Sequence, residues 1–210
     1  MKKTALTLIA FIAAVLSVNA AEISEQTKAV LLNIEKANES VMSISSPVKE
    51  VKTMPNGRQF TFEGNFYYSS PDKLAIIYTS PAGDYLVINT EEVAQKKKSG
   101  KSFKLSIKKN ETMQMLSSTL LCCVSGKLLK LAQTTNAAVK TSEANGMITV
   151  VLTAEVKGDK GFKKIELDFD KATMRIRSMA MTDKNNVVTK YVLDKPQYNA
   201  QVDPSVFIVK

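Results

Sequence analysis

The sequence predicts an α+β fold: a strongly curved antiparallel sheet forming an open (unclosed) β-barrel of about ten to eleven strands, with helices covering its concave apolar face. Three observations predict it. Alternating apolar and polar segments follow one another from Val48 to Lys108 and again from Met147 to Leu193, so each strand has one buried and one wet face. A single strongly apolar helical stripe, Asn110 to Leu131, interrupts them. So many strands in one sheet must curl or close, which leaves the helices only the concave side to pack on.

Residues 1–20 stand apart from the fold. Lys2 and Lys3 precede an apolar run from Leu6 to Leu16, and Val18-Asn19-Ala20 ends it with small residues. This is the layout of a secretory signal cleaved near Ala20, too short to anchor the mature chain. No cysteine lies near the cleavage point, so no lipid attachment is expected there. Residues 21–210, about 190 in number, are enough for one domain with a real core. No repeat, low-complexity stretch or linker divides them.

The mature chain opens with an amphipathic helix carrying Ile23, Val30, Ile34, Ala37 and Val41, capped by Ser24 and ended by Ser45-Ser46-Pro47. Val48 to Thr53 then leads into Met54-Pro55-Asn56-Gly57, where Asn-Gly supplies the positive backbone angles of a hairpin turn. In the return strand, Arg58 to Ser69, Phe60, Phe62, Phe66 and Tyr68 share one face with Gly64. After Pro71, Leu74, Ile76 and Tyr78 repeat the pattern. Tyr85 to Asn89, Val93 to Lys98 and Phe103 to Lys108 continue it, the last two joined at Ser99-Gly100.

Asn110 caps the central helix, whose stripe is Met113, Leu116, Leu120, Val124, Leu128 and Leu131, and Gly126 divides it in two. The strands resume as Ile148 to Ala154, Phe162 to Phe169, Met174 to Met181, Val187 to Leu193 and a final Ser205 to Val209.

Composition argues against chemistry. The chain has no histidine, so the commonest general base and zinc ligand are missing and a Ser–His–Asp or Cys–His site is excluded. Ser-x-x-Lys matches at Ser46, Ser70 and Ser106 lack any companion motif. Ser125-Gly126-Lys127 lacks the spacing of a phosphate loop. Glu91-Glu92 and Asp168/Asp170 read as polar faces. The expectation is a protein that is not an enzyme, with no catalytic residue, metal or cofactor. Cys122 and Cys123 are adjacent, which makes a disulfide between them strained, so they are read as two buried thiols, with a bridge between molecules in an oxidising compartment as the secondary alternative. The net charge of +9, about +7 without Lys2 and Lys3, concentrates only at Lys96-Lys97-Lys98, Lys101 and Lys104. That patch reads as a solvated edge that discourages sheet pairing. No nucleic-acid motif accompanies it, so no nucleic-acid partner is expected.

Gly64-Asn65-Phe66-Tyr67-Tyr68-Ser69-Ser70-Pro71-Asp72-Lys73-Leu74, then Ser80-Pro81, then Leu86-Val87, resembles the signature of the LolA family of lipoprotein carriers. Val202-Asp203-Pro204-Ser205-Val206-Phe207-Ile208-Val209 is similar to the family's closing segment. Ile165 to Asp170 and Ser178 to Asp183 fit its penultimate hairpin. The resemblance implies an open barrel with a helical lid, located in the periplasm, that binds acyl chains of lipoproteins in an apolar cavity and carries them from inner to outer membrane. It implies acylated lipoproteins as cargo, an inner-membrane lipoprotein exporter and an outer-membrane acceptor as partners, transient contact with a membrane surface, and a monomer. The candidate cavity residues are Phe60, Phe62, Phe66, Tyr68, Leu74, Ile76, Tyr78 and Val87 on the sheet, with Met113, Leu116, Leu120 and Val124 on the lid. The alternative is a periplasmic sensor or regulatory module using the same fold; such modules usually carry an extra domain. One departure stands out. The family's arginine before the first proline, which latches the lid, is Ser70 here, so the lid is expected to rest on apolar contacts.

Overall fold

The computed structural model describes residues 23–98, 102–156 and 161–209. The expected leader and the Ser99-Gly100 turn with Lys101 lie outside the described residues. Helix α1 (Glu25–Asn38) is followed by strands β1 (Ser43–Thr53), β2 (Gln59–Ser69), β3 (Lys73–Ser80), β4 (Ala82–Ile88), β5 (Glu92–Lys96) and β6 (Phe103–Ser106). Helices α2 (Glu111–Ser125) and α3 (Leu128–Thr135) come next. The chain then adds β7 (Ala138–Ala144), β8 (Met147–Thr153), β9 (Lys164–Asp170), β10 (Arg175–Thr182), β11 (Val188–Leu193) and β12 (Gln197–Tyr198).

All twelve strands belong to one antiparallel sheet in the order β6-β5-β4-β3-β2-β1-β11-β10-β9-β8-β7, with β12 alongside β1. The two halves of the chain therefore meet at the β1–β11 pair, where Val48 faces Leu193 and Thr53 faces Val188. Edges β6 and β7 have no second strand neighbour among the described residues. The sheet curls without closing. It is the open barrel that the alternation predicts, with one or two more strands.

The caps read from the sequence are present. The Ser24 hydroxyl accepts from the Thr27 N–H at 3.2 Å, and the Asn110 side chain accepts from the Met113 N–H at 3.1 Å. Gly126, at φ 75°, ends α2 in the left-handed conformation and lets α3 turn back. A Cβ there would stand 3.1 Å from the Ile34 side chain, so the missing side chain also brings the α2–α3 corner against α1.

Several expectations are corrected. Ser45-Ser46-Pro47 does not end a helix; it lies inside β1, and α1 stops at Asn38. Pro47 is tolerated in mid-strand because it sits where the partner of β1 changes from β11 to β12. Its carbonyl still accepts from the Asp194 N–H at 3.0 Å. The Asn56-Gly57 turn has one positive φ rather than two: Gly57 alone, at 81°, follows a turn closed by its N–H on the Met54 carbonyl. Strands β7 and β12 were not predicted. The last segment is not a strand but a 3₁₀ turn, Pro204–Phe207, whose start is capped by Asp203.

Gly64 marks a close approach. It sits at a register shift between β2 and β3, and a Cβ built on it would lie 2.4 Å from the Ile77 carbonyl oxygen. Gly64→Ala must push two backbones apart, and its expected destabilisation in urea unfolding is about 1–3 kcal/mol. An unchanged midpoint would show that the strands part freely.

Candidate functional site

The inner face of the sheet and all three helices form one apolar cluster. Phe66, Tyr68, Leu74, Ile76 and Tyr78 from β2 and β3 are buried in it, together with Leu120 and Val124 from α2. Phe62, Met113 and Leu116 are half-buried against the same cluster. Ten of the twelve predicted positions therefore converge between sheet and helices. Two do not. Phe60 is 36% exposed at the open end of β2, with the Arg58 guanidinium 4.7 Å from its ring centre.

Val87 lies on the opposite face. It pairs with Ala75, and these two form a separate cluster with Phe207 from the C-terminal 3₁₀ turn. The residues of β4 that face the helices are Leu86, opposite Ile76, and Ile88, opposite Leu74. An irregularity between Ile77 and Thr79 shifts the register, so the parity of β4 does not follow from counting through the turn. Sequence reasoning also missed the contribution of the distant strands. Ile148, Val150, Leu152, Leu167 and Phe169 complete the same inner face, and their alternation was the available signal.

How the helices are held differs along the chain. α1 is pinned by Asn38, whose side-chain N–H groups donate to the Ile34 and Met174 carbonyls, both at 2.8 Å. Its oxygen accepts from Arg175 at 3.2 Å. On α2, by contrast, the Ser117 and Ser125 hydroxyls turn back to the helix's own carbonyls at Gln114 and Leu121. On α3, Thr134 and Thr135 do the same to Leu131. Burial raises the pKa of the Tyr68 phenol, and the neighbouring Ser70 side chain partly offsets that rise.

Cys122 and Cys123 are free and buried on α2. Burial pushes both thiols up, Cys123 furthest, so neither is a ready nucleophile while α2 is in place. Among the described residues no three His, Cys, Asp or Glu side chains gather as a metal site.

Two small gaps lie between helices and sheet among the described residues. The gap lined by Met115, Thr119, Leu152 and Phe162 measures about 20 Å³, and that lined by Phe66, Val124, Met179 and Tyr191 about 10 Å³. Each has room for about one water molecule. A binding pocket needs roughly 300–1,000 Å³. Neither gap is of that size. A groove of about 370 Å³ does exist on the outer face, between Tyr85, Val87 and the C-terminal Val206 and Ile208.

Buried polar groups also lie on the inner face: Ser46 and Glu50 on β1, in line with Ile44 and Val48, and Asp84 on β4, in line with Leu86. Glu50 of β1 is only 4% exposed, and its carboxylate accepts from the Tyr78 hydroxyl. Across the sheet it faces Phe62 on one side and Tyr191 on the other. Tyr78 and Tyr191 have strongly raised pKa values, first because they are buried and next because of these neighbours.

An unclosed, curled sheet with its apolar face packed under helices defines a protein of LolA-like fold. The family model described as outer membrane lipoprotein carrier protein LolA matches residues 48–210, and the chain belongs to that family. The match begins at Val48, after α1 and the first part of β1. Among solved structures, an uncharacterized conserved protein from Thermus thermophilus is 11% identical, with a TM-score of 0.50 over 88% of this chain and 95% of that one. A putative outer membrane lipoprotein-sorting protein domain from Vibrio parahaemolyticus is 10% identical, with a TM-score of 0.49 over 85% and 94%. The lipoprotein LppX from Mycobacterium tuberculosis is 13% identical, with a TM-score of 0.42 over 84% and 98%. At these identities the likeness is one of fold. No curated protein matches the sequence. No helix among the described residues is long and apolar enough to cross a membrane.

Leu120, 2% exposed in the middle of α2, tests whether the helix separates from the sheet. Leu120→Glu would bury an unpaired charge, a penalty the protein escapes by releasing α2. The expected outcome is labelling of Cys123 by a neutral maleimide at least about tenfold faster, with the sheet's far-ultraviolet signal kept. Collapse of the sheet signal instead would make α2 permanent core.

Proposed function

We propose that this protein is a periplasmic carrier that binds the acyl chains of lipoproteins between sheet and helices and takes them from the inner to the outer membrane. In this reading residues 1–20 export the chain and are cleaved near Ala20, and the mature protein works as a monomer. It receives cargo from an inner-membrane exporter, touches membrane surfaces transiently and passes cargo to an outer-membrane acceptor. The observation that carries the reading is an apolar face covered by α2 and α3, on which the Ser117, Ser125, Thr134 and Thr135 hydroxyls bond within their own helices, in a chain of the LolA family.

The energetics suit the task. Each methylene withdrawn from water is worth roughly 0.8 kcal/mol, so acyl chains do not cross an aqueous space unaided at a useful rate. A carrier must cover them and then give them up. When empty, the inner face is satisfied by α2 and α3; when loaded, acyl chains replace part of that contact, and the two states differ little in apolar surface exposed. Phe66, Tyr68, Leu74, Ile76 and Tyr78 form the sheet side of the site, with Leu86 and Ile88 in place of Val87. Met113, Leu116, Leu120 and Val124 form the lid side, and the flexible Met113 repacks readily.

The test is direct. Mature protein purified from its native periplasm is expected to carry acylated protein detectable by mass spectrometry, and the empty protein to extract lipoprotein from loaded membranes. Protein that is consistently empty and takes up nothing would overturn the carrier reading.

A further inference from the structure

We infer that the tip of the β1–β2 hairpin, with Lys52, Arg58, Phe60, Phe62 and Lys97, is the surface by which this protein docks on a bilayer, and that it reads anionic phospholipid headgroups. The inference rests on the membrane contact of the proposed function, to which it gives a place and a chemistry.

The hairpin tip projects beyond its neighbour β3. Pairing of β2 with β3 ends at Glu63, opposite Ser80, whereas pairing of β2 with β1 runs on to Gln59, opposite Thr53. Phe60 and Phe62 share one face of this extension, opposite Lys52 and Glu50 of β1. The Arg58 guanidinium lies 4.7 Å from the centre of the Phe60 ring, and the Lys97 ammonium 5.8 Å from that of Phe62. Lys97, expected at a solvated edge, thus stands at the rim of the inner face.

The charge gathered here is uncompensated. Lys52, Arg58 and Lys97 belong to no ion pair among the described residues. The acids of the adjoining strands are occupied or face elsewhere. Glu63 takes the other side of the sheet, opposite Lys49. Glu50 and Asp84 are each 4% exposed, and they accept from the Tyr78 hydroxyl and the Lys98 N–H.

A bilayer suits this arrangement. An exposed ring among like charges is unfavourable in water, and an anionic surface over hydrocarbon relieves both terms. The rings enter the interface, while the long lysine and arginine stems keep the charges at the headgroups. A projecting tip meets a flat, fluid surface without needing a matching pocket. Because Phe62 packs half-buried against the main cluster, docking there brings the bilayer to one end of the acyl-binding face.

The mature protein is titrated with vesicles of phosphatidylcholine alone and of equimolar phosphatidylcholine and phosphatidylglycerol, with binding read by sedimentation. Binding to the anionic vesicles is expected to be at least about tenfold tighter, and to fade in molar salt, where the screening length falls to about 3 Å. Each cation at an anionic surface strengthens binding about fivefold, so Arg58→Gln with Lys97→Gln is expected to weaken it about twentyfold or more. Lys108→Gln with Lys109→Gln makes the same charge change just before the cap of α2 and is expected to cost less than about threefold. Equal binding to both vesicles, binding to neither, or equal losses in the two double variants overturns the inference. Uptake of lipoprotein from loaded membranes then still decides the carrier reading by itself. If vesicles are not bound but Arg58→Gln with Lys97→Gln abolishes that uptake, the tip serves an acidic protein partner and the inference is overturned as well. Should a variant not fold, the two vesicle affinities of the native protein decide the matter.

Discussion

An antiparallel sheet that curls but does not close leaves an apolar concave face that must be covered, and everything else in this protein answers that need. The strands cannot cover it themselves, since β6 and β7 end the sheet without meeting each other. The helices do so, and they pack closely enough to leave gaps of only about 10–20 Å³. Dense packing and weak polar attachment are compatible because apolar burial is non-directional. On α2 the Ser117 and Ser125 hydroxyls bond to the helix's own carbonyls and not to the sheet. α1 is different: Asn38 ties it to Met174 and to Arg175 at the start of β10, and Gly126 lets the corner between α2 and α3 approach it.

The two faces of the sheet have separate loads. The outer face around Ala75, Val87 and Phe207 is covered by the C-terminal segment, which leaves the groove beside Tyr85 and Ile208. The inner face takes the helices. Because β-strand side chains alternate, a residue one position away serves the other cluster, as Val87 does between Leu86 and Ile88. Ser46 and Asp84 depart from the apolar rule of the inner face, and so does Glu50. Its position between Tyr78 and Tyr191 depends on β1 having strand neighbours from both ends of the chain.

Much of the fold was legible in the residues. Strict alternation in Ile165 to Phe169, the Asn110 cap and the Gly126 break each rest on local geometry that sequence spacing reports directly. What was not legible lacked a local signal. Ala138–Ala144 is an edge strand with little apolar alternation, and its partner β8 alone makes it a strand. Pro47 looked like a terminator because its permissive position, at the handover from β11 to β12, is a fact about residues far away at the other end of the chain. Val202 to Val209 has the composition of a strand, yet no free strand edge lies beside it, so Phe207 packs from a turn.

The sequence by itself determined the class of fold, the absence of histidine chemistry and the apolar stripe of α2, because composition and periodicity act over a few residues. Only the tertiary structure decided which neighbours share a face, that all three helices pack into one cluster with the inner face, and that Glu50 is buried among tyrosines. Those outcomes follow from register and from contacts between distant strands, and a one-residue change in register moves a side chain from one face of a sheet to the other.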